Sequence, residues 1–439
     1  MTTSEFSSSQ IQPSLLVHPD GHVLAATPQV LVEYLTEQED IDPAFAEVFL
    51  GTFKSFMTVN ELLNALVCQY CKDVPLGLTS AEVNEWRNTK QPVVRARVLE
   101  VVKAMLGDNS ILKQDDQTVL DRVSEFLSEP DFMEDERASE LARLVPLAQT
   151  RLSKPQEAEC ATIISVTAKR RSLRETEPHE LAEQLTLMDA ALYKQVRVVD
   201  CLKRMQAPGS AWATDDSITP VIGLSNKIAL WVGWSVLHEE DLVSRVATVT
   251  YLIDVAKHCR DSHNFSSMTD ILSGLNSPPV RRLKATWAGV GAESMAVMQA
   301  CESTIDVAGG LVAYRSTLAH TMPPCVPFIG AYLTLLAQIN GAEDNEVPER
   351  LVDFGKLRKA YPILQEIHRF QLVPYGIEPI PAVASYLEDA LSEIGDGDAE
   401  VFPMLQLSFQ IETHRPEDEE LEKFLQAIEG SPGEVEGMQ

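Results

Sequence analysis

The chain has 439 residues, 45% hydrophobic content and a net charge of −29, enough length for two or three domains, each with a core of its own. So acidic a balance excludes electrostatic attraction to nucleic acid and gives no net pull toward an anionic membrane. No uninterrupted apolar run approaches the ~18 residues of a membrane span, the best being 228–237, and seven scattered cysteines fit a reducing, cytoplasmic compartment.

Taken in chain order, residues 1–19 read as a disordered polar leader, without the basic start and apolar core of a signal peptide. Residues 20–128 read as a first helical unit, with Phe45, Phe49, Phe53 and Phe56 near its start. Thr58-Val59-Asn60-Glu61 is a capping box, whose hydroxyl and carboxylate satisfy orphan amides reciprocally. Behind it Leu62, Ala65, Leu66 and Gln69 share a face, and Thr79-Ser80-Ala81-Glu82 repeats the device. Residues 129–175 are charged and helix-compatible, punctuated by Pro130, Pro146 and Pro155, and read as a helical connector ending near a solvated Lys169-Arg170-Arg171. In the second unit, 176–415, Val246, Val249, Ile253 and Ala256 step by three and four as one buried helical stripe. Asn264-Phe265 opens a short helix that Ser273-Gly274-Leu275-Asn276-Ser277 closes, and Pro278-Pro279 forbids its continuation. Fifteen acidic residues against two basic ones between 388 and 439 make 416–439 an acidic tail. Strand alternation is nearly absent. The fold class is all-α, in two helical domains.

Residue groupings for covalent chemistry are weak. Cys68-Gln69-Tyr70-Cys71 has metal or redox spacing but falls on a predicted helix without a second pair, so buried structural thiols are the expectation. The nine histidines form no ligand or triad pattern. No phosphate-binding GxxxxGK[ST] occurs, and Gly289-Val290-Gly291 lacks a preceding strand and a third glycine. No cofactor and no metal are expected.

Motifs in register over most of the chain resemble the Ras guanine-nucleotide exchange factors. Asp20-Gly21-His22-Val23-Leu24-Ala25-Ala26-Thr27, Phe49-Leu50-Gly51-Thr52-Phe53-Lys54-Ser55-Phe56 and Lys90-Gln91-Pro92-Val93-Val94-Arg95 look like the N-terminal Ras exchanger motif. His179-Glu180-Leu181-Ala182-Glu183-Gln184-Leu185-Thr186, the 264–283 run with Arg281-Arg282-Leu283 and Trp287, Tyr314-Arg315, and Pro324-Cys325-Val326-Pro327-Phe328-Ile329-Gly330 resemble the catalytic domain. Leu351-Val352-Asp353-Phe354 and Glu366-Ile367 follow in the same order.

The resemblance implies a catalyst that makes and breaks no covalent bond and acts on a Ras-family small GTPase of Ras, Rap or Ral type. It implies a protruding helical hairpin, outgoing over 327–339, tipped by 340–348 and returning over 349–371, braced by the N-terminal motif. It places Phe328 against switch II, Thr334 and Tyr332 on the hairpin, Asn276 in the turn after the 264–276 helix, and Arg245 in support of that turn. Ala337 and Gly341 fall where the family carries an apolar residue and a carboxylate, with Glu343 displaced by two. Ala308-Gly309-Gly310-Leu311 is a further departure, and Pro362 should kink or restart the returning helix. These departures motivate a rival expectation, an adaptor that binds without exchanging. Recruitment to a membrane would then pass through partners.

Overall fold

The computed structural model describes residues 14–38, 42–72, 74, 79–107, 112, 117–128, 136–153, 173–207, 216–306, 309–342, 347–348, 350–395, 399–412 and 418. The expectations for Lys169-Arg170-Arg171, for Glu343, and for most of the leader and acidic tail lie outside these residues.

The chain begins with β1 (Leu15–Val17) and β2 (Val23–Ala26), followed by α1 (Pro28–Glu37), α2 (Pro43–Thr52), α3 (Val59–Tyr70), α4 (Ser80–Gly107), α5 (Gln117–Leu127) and α6 (Glu136–Ser153). Then come α7 (Pro178–Tyr193), α8 (Val198–Gln206), α9 (Thr219–Leu237), α10 (Leu242–Asp261), α11 (Phe265–Asn276), the short α12 (Pro278–Arg281) and α13 (Lys284–Gly289), α14 (Ala292–Thr304) and α15 (Val312–His320). The rest is α16 (Ile329–Gly341), β3 (Val352–Asp353), α17 (Phe354–Gln371), α18 (Pro381–Ser392) and α19 (Val401–Ile411). The described residues are mostly helical, as an all-α chain requires.

Two compact units result. The first is Met1–Ala158 with Cys201–Gly209 and Thr334–Gln365; the second is Glu159–Asp200, Ser210–Leu333 and Glu366–Gln439. The segment Thr334–Gln365, expected in the second domain by chain order, thus belongs with the N-terminal residues.

In the first unit both expected capping boxes form. Thr58 Oγ1 accepts from Glu61 N at 3.2 Å while Glu61 Oε2 accepts from Thr58 N at 2.7 Å, and Thr79 and Glu82 repeat this at 3.4 and 2.8 Å. These bonds hold both glutamate carboxyls below their ordinary range. Leu62, Ala65, Leu66 and Gln69 are buried together, as their spacing requires. Three expectations are corrected. Cys68 and Cys71, expected to be buried thiols, are both exposed. Leu15–Val17, assigned to the leader, pairs antiparallel with β2 across a turn whose Gly21 has φ +92°, because three apolar residues precede a turn only glycine closes without strain. The helix α6, assigned to the connector, buries Ala138, Leu141, Val145 and Ala148 and packs on α4 and α5.

The returning segment is built into the same unit. β3 pairs with β2 through Ala25–Asp353 and Ala26–Val352, and Asp353 Oδ1 caps α17 by accepting from Lys356 N at 2.9 Å. Hence Val352 and Asp353 form a strand, and the returning helix starts at Phe354 rather than near residue 349. Phe354 packs on Phe45 with ring centroids 4.6 Å apart and planes tilted by 32°, and Phe45, Phe49 and Phe53 continue the aromatic row. Arg358 donates to Asp42 at 2.7 Å. A Cβ on Gly51 would lie 2.3 Å from the Tyr361 ring, so only glycine permits this approach of α2 and α17. Gly51→Leu should cost roughly 1–3 kcal/mol through overpacking, read as a lowered urea midpoint; an unchanged midpoint would show the contact to be slack.

Pro362 neither stops nor restarts α17, which runs through it. Leu357, Ala360 and Leu364 are buried on either side while Pro362 is exposed, so the lost ladder bond falls on the solvent face and packing holds the helix.

In the second unit α10 packs against α7, α11, α13 and α14, and α9 against α11. Val249, Ile253 and Ala256 are buried, with Val246 at the edge beside Gly289. A Cβ on Gly274 would sit 2.4 Å from Ala229 O, so this glycine sets how closely α11 meets α9. By length and composition α9 passes as a membrane span, mean hydropathy 1.2, although Ser225, Asn226 and Lys227 interrupt its apolar run as the sequence indicates. It buries Ile228, Trp231, Val232 and Val236 in this unit's core. Arg282, itself buried, donates to Asp418 Oδ2 at 2.9 Å and to Glu412 O at 3.0 Å. The expected boundary near 416 therefore cuts a buried ion pair.

Candidate functional site

The 264–283 run owes its residue types to a joint. Asn264 is fully buried at the N-terminus of α11, where its Oδ1 accepts from Ser267 N at 3.1 Å. Its Nδ2 donates to Asp189 Oδ2 at 3.1 Å and to Thr186 Oγ1 at 3.2 Å, both on α7. Serine could cap the helix as well, but its single O–H reaches one partner, whereas the amide caps and donates to both Asp189 and Thr186. The adjoining backbone then seizes another strand of chain: Phe265 N and Ser266 N donate to Val326 O at 2.9 and 3.3 Å, and Val326 N donates to His263 O at 3.0 Å. His263 takes a positive φ of 60° to make this crossing.

Val326 leads directly into Phe328 and α16. Phe328 N donates to the hydroxyl of Tyr314, a fully buried residue of α15, at 2.8 Å. The Phe328 ring is half-buried and folds over Gly330, where a Cβ would meet it at 2.5 Å. Farther along, α16 has two faces. Ala331, Tyr332 and Leu336 are buried; Thr334, Ala337, Gln338 and Gly341 are exposed at spacings of three and four, one stripe along the helix.

The helix is clamped at both ends by α17. Tyr332 Oη donates to Glu366 Oε1 at 2.8 Å near its start, and Lys356 Nζ donates to Asn340 O at 2.7 Å at its end. An early residue of α16 meets a late one of α17 and the reverse, so the helices run antiparallel. The Lys356 cation lies where a helix C-terminus favours positive charge.

The RasGEF domain matches residues 180–358 and the RasGEF N-terminal motif residues 22–126, together more than half of the chain. The chain belongs to the RasGEF family. Among its relatives, cell division control protein 25 of Candida albicans is 29% identical over 392 residues, covering 85% of this chain and 29% of the relative. The Saccharomyces cerevisiae protein of the same name is 27% identical over 450 residues, covering 93% and 28%. Ras-specific guanine nucleotide-releasing factor 2 of Danio rerio is 32% identical over 301 residues, covering 67% and 23%. The chain spans less than a third of the length of these three relatives.

Within this RasGEF chain the expected site residues separate into two groups. Thr334, Ala337 and Gly341 share the exposed stripe of α16, and Phe328 stands at its base. Gly341 has nothing within 4 Å of where a Cβ would be. Tyr332 does not join them: it is 2% exposed, and burial pushes its hydroxyl pKa well up. Arg245 is buried too and supports a different corner from the one expected. Its Nη1 donates to the carbonyls of Glu239 and Glu240 at 2.9 Å each, and Nε to Thr286 Oγ1 at 3.4 Å. Asn276 is exposed, and its amide donates to Glu302 Oε1 at 2.8 Å rather than serving backbone groups. Asp189, Tyr314, Lys356 and Glu366, which position α16, were not legible as positioning residues from the motifs. Tyr314 and Glu366 stand inside quoted motifs; nothing local marks Asp189.

Proposed function

We propose that this chain promotes guanine-nucleotide release from a Ras-family small GTPase, using the exposed stripe of α16 and the Phe328 ring at its base. The observation that carries the reading is the two-faced helix. Its inner residues are fixed by Tyr332–Glu366 and Asn340–Lys356, which leaves Thr334, Ala337 and Gly341 outward in a RasGEF domain. Exchange needs no bond made or broken in this chain. The factor binds the nucleotide-free GTPase better than the loaded one, and by reciprocity nucleotide and factor weaken each other. A 10⁴-fold preference corresponds to about 5.5 kcal/mol of coupling. The first unit's role is to brace α17, through Phe45, Asp42 and β2. A cytoplasmic setting, with membrane recruitment through partners, completes the proposal.

The test loads Ras-, Rap- and Ral-type GTPases with a fluorescent nucleotide and follows its release with and without the chain. Acceleration for at least one supports exchange. Capture of a GTPase without accelerated release would instead support the adaptor reading, which the bare Gly341 position favours, since it offers no carboxylate to the nucleotide site. Phe328→Ala should slow release about 30-fold, the scale of a 2 kcal/mol interface anchor, with the helical circular dichroism unchanged. An unaltered rate would remove Phe328 from the contact surface.

A further inference from the structure

Two carboxylates that repel one another are buried in the core of the second unit. Asp189 of α7 and Asp270 of α11 are 3% and 2% exposed. Asp189 Oδ2 accepts from Asn264 and from the Ser267 hydroxyl. Asp270 lies one turn beyond Ser267 on α11; its Oδ1 accepts from the Ser225 hydroxyl of α9, and its Oδ2 is buried without a hydrogen-bond partner. Among the described residues no Lys, Arg or His pairs with either acid. The titratable groups that face them are the Cys259 thiol of α10, which feels both carboxylates, and the Tyr375 hydroxyl, which feels Asp189. Both are neutral groups that burial keeps protonated, so neither supplies compensating charge. Thr186 and Asn264 complete the wall with uncharged groups.

Two uncompensated anions cannot share such a site, because desolvation and mutual repulsion both oppose the charged forms. Two donors serve Asp189, the Asn264 amide and the Ser267 hydroxyl, while one oxygen of Asp270 has none. The geometry points to Asp270 as the member that keeps its proton at neutral pH, making the α7–α11 packing beneath the Val326 crossing a proton-linked joint. The ionisation of the pair runs the same way: burial lifts Asp189 to about 6, and burial together with the Asp189 charge lifts Asp270 well above its ordinary value.

The sign follows from linkage. In the unfolded chain both acids ionise near pH 4. Between there and about 6 the folded state holds two protons that the unfolded state has lost, and above 6 it still holds the one on Asp270. Stability therefore falls as pH rises, and it keeps falling through neutrality.

The test compares the 439-residue chain with its Asp270→Asn variant, which reproduces the shape of the protonated acid. Urea unfolding is followed by hydrogen exchange in peptides from residues 259–276. From pH 6.5 to 8, the unfolding constant of the wild type relative to the variant should grow about tenfold per pH unit, the signature of one proton. Parallel pH profiles overturn the proposal. Infrared spectra of the wild type alone give a reading independent of the variant's folding: a protonated carboxylic-acid carbonyl band at neutral pD supports the retained proton, and its absence overturns it.

Discussion

Asn264→Ala should destabilise the second unit by about 2–4 kcal/mol. Roughly 1 kcal/mol comes from the helix cap, and about 1–3 from withdrawing a donor from the buried Asp189 carboxylate. The lost donor served the anionic form of Asp189, so the deficit should widen as pH rises through about 6. Urea unfolding at pH 5 and pH 7.5 measures both effects. A loss under 1 kcal/mol at both values would mean that the joint is not the keystone inferred from its bonds. Because the same turn holds Val326, nucleotide release should fall as well, even though Asn264 is fully buried and touches no partner.

Removing residues 1–128 is the second large effect. The deletion takes away Phe45, Asp42, Gly51 and β2, all of which meet α17 or β3 inside the first unit. Exposing Phe354 alone would forfeit about 1.5–3 kcal/mol, and the strand pairing and the Arg358 ion pair go with it. The remaining 129–439 fragment should aggregate at concentrations where the full chain does not, and nucleotide release should drop at least tenfold (~1.4 kcal/mol). Full, soluble activity from that fragment would refute the bracing role.

Much of the fold could be read from local chemistry. The boxes at Thr58 and Thr79, the face from Leu62 to Gln69 and the stop at Pro278 each depend on residues within one or two turns, and each is present. What local chemistry could not supply is pairing over distance. β3 is two residues long and exists because β2, more than three hundred positions earlier, offers an edge. The burial of α6 depends on α4 and α5 and not on its own charged composition. At the candidate site, motif order located Phe328 and the α16 stripe, but it could not tell an outward position from an inward one. Tyr332 and Thr334 are two residues apart on one helix, yet one is core and the other surface. Arg245 illustrates the same limit: motif order makes it a support for the turn after α11, and only its carbonyl partners show that it holds the Glu239–Glu240 corner instead.

The two-sided character of α16 has a consequence for variation along it. Substitutions at Ala331, Tyr332 or Leu336 should register as loss of folded protein, whereas those at Thr334, Ala337 or Gly341 should leave abundance intact and alter only partner choice or rate. Tolerance would oscillate with the helical period. Gly341, open to solvent, is the position where a single codon change can alter the chemistry of the tip without disturbing the scaffold beneath it.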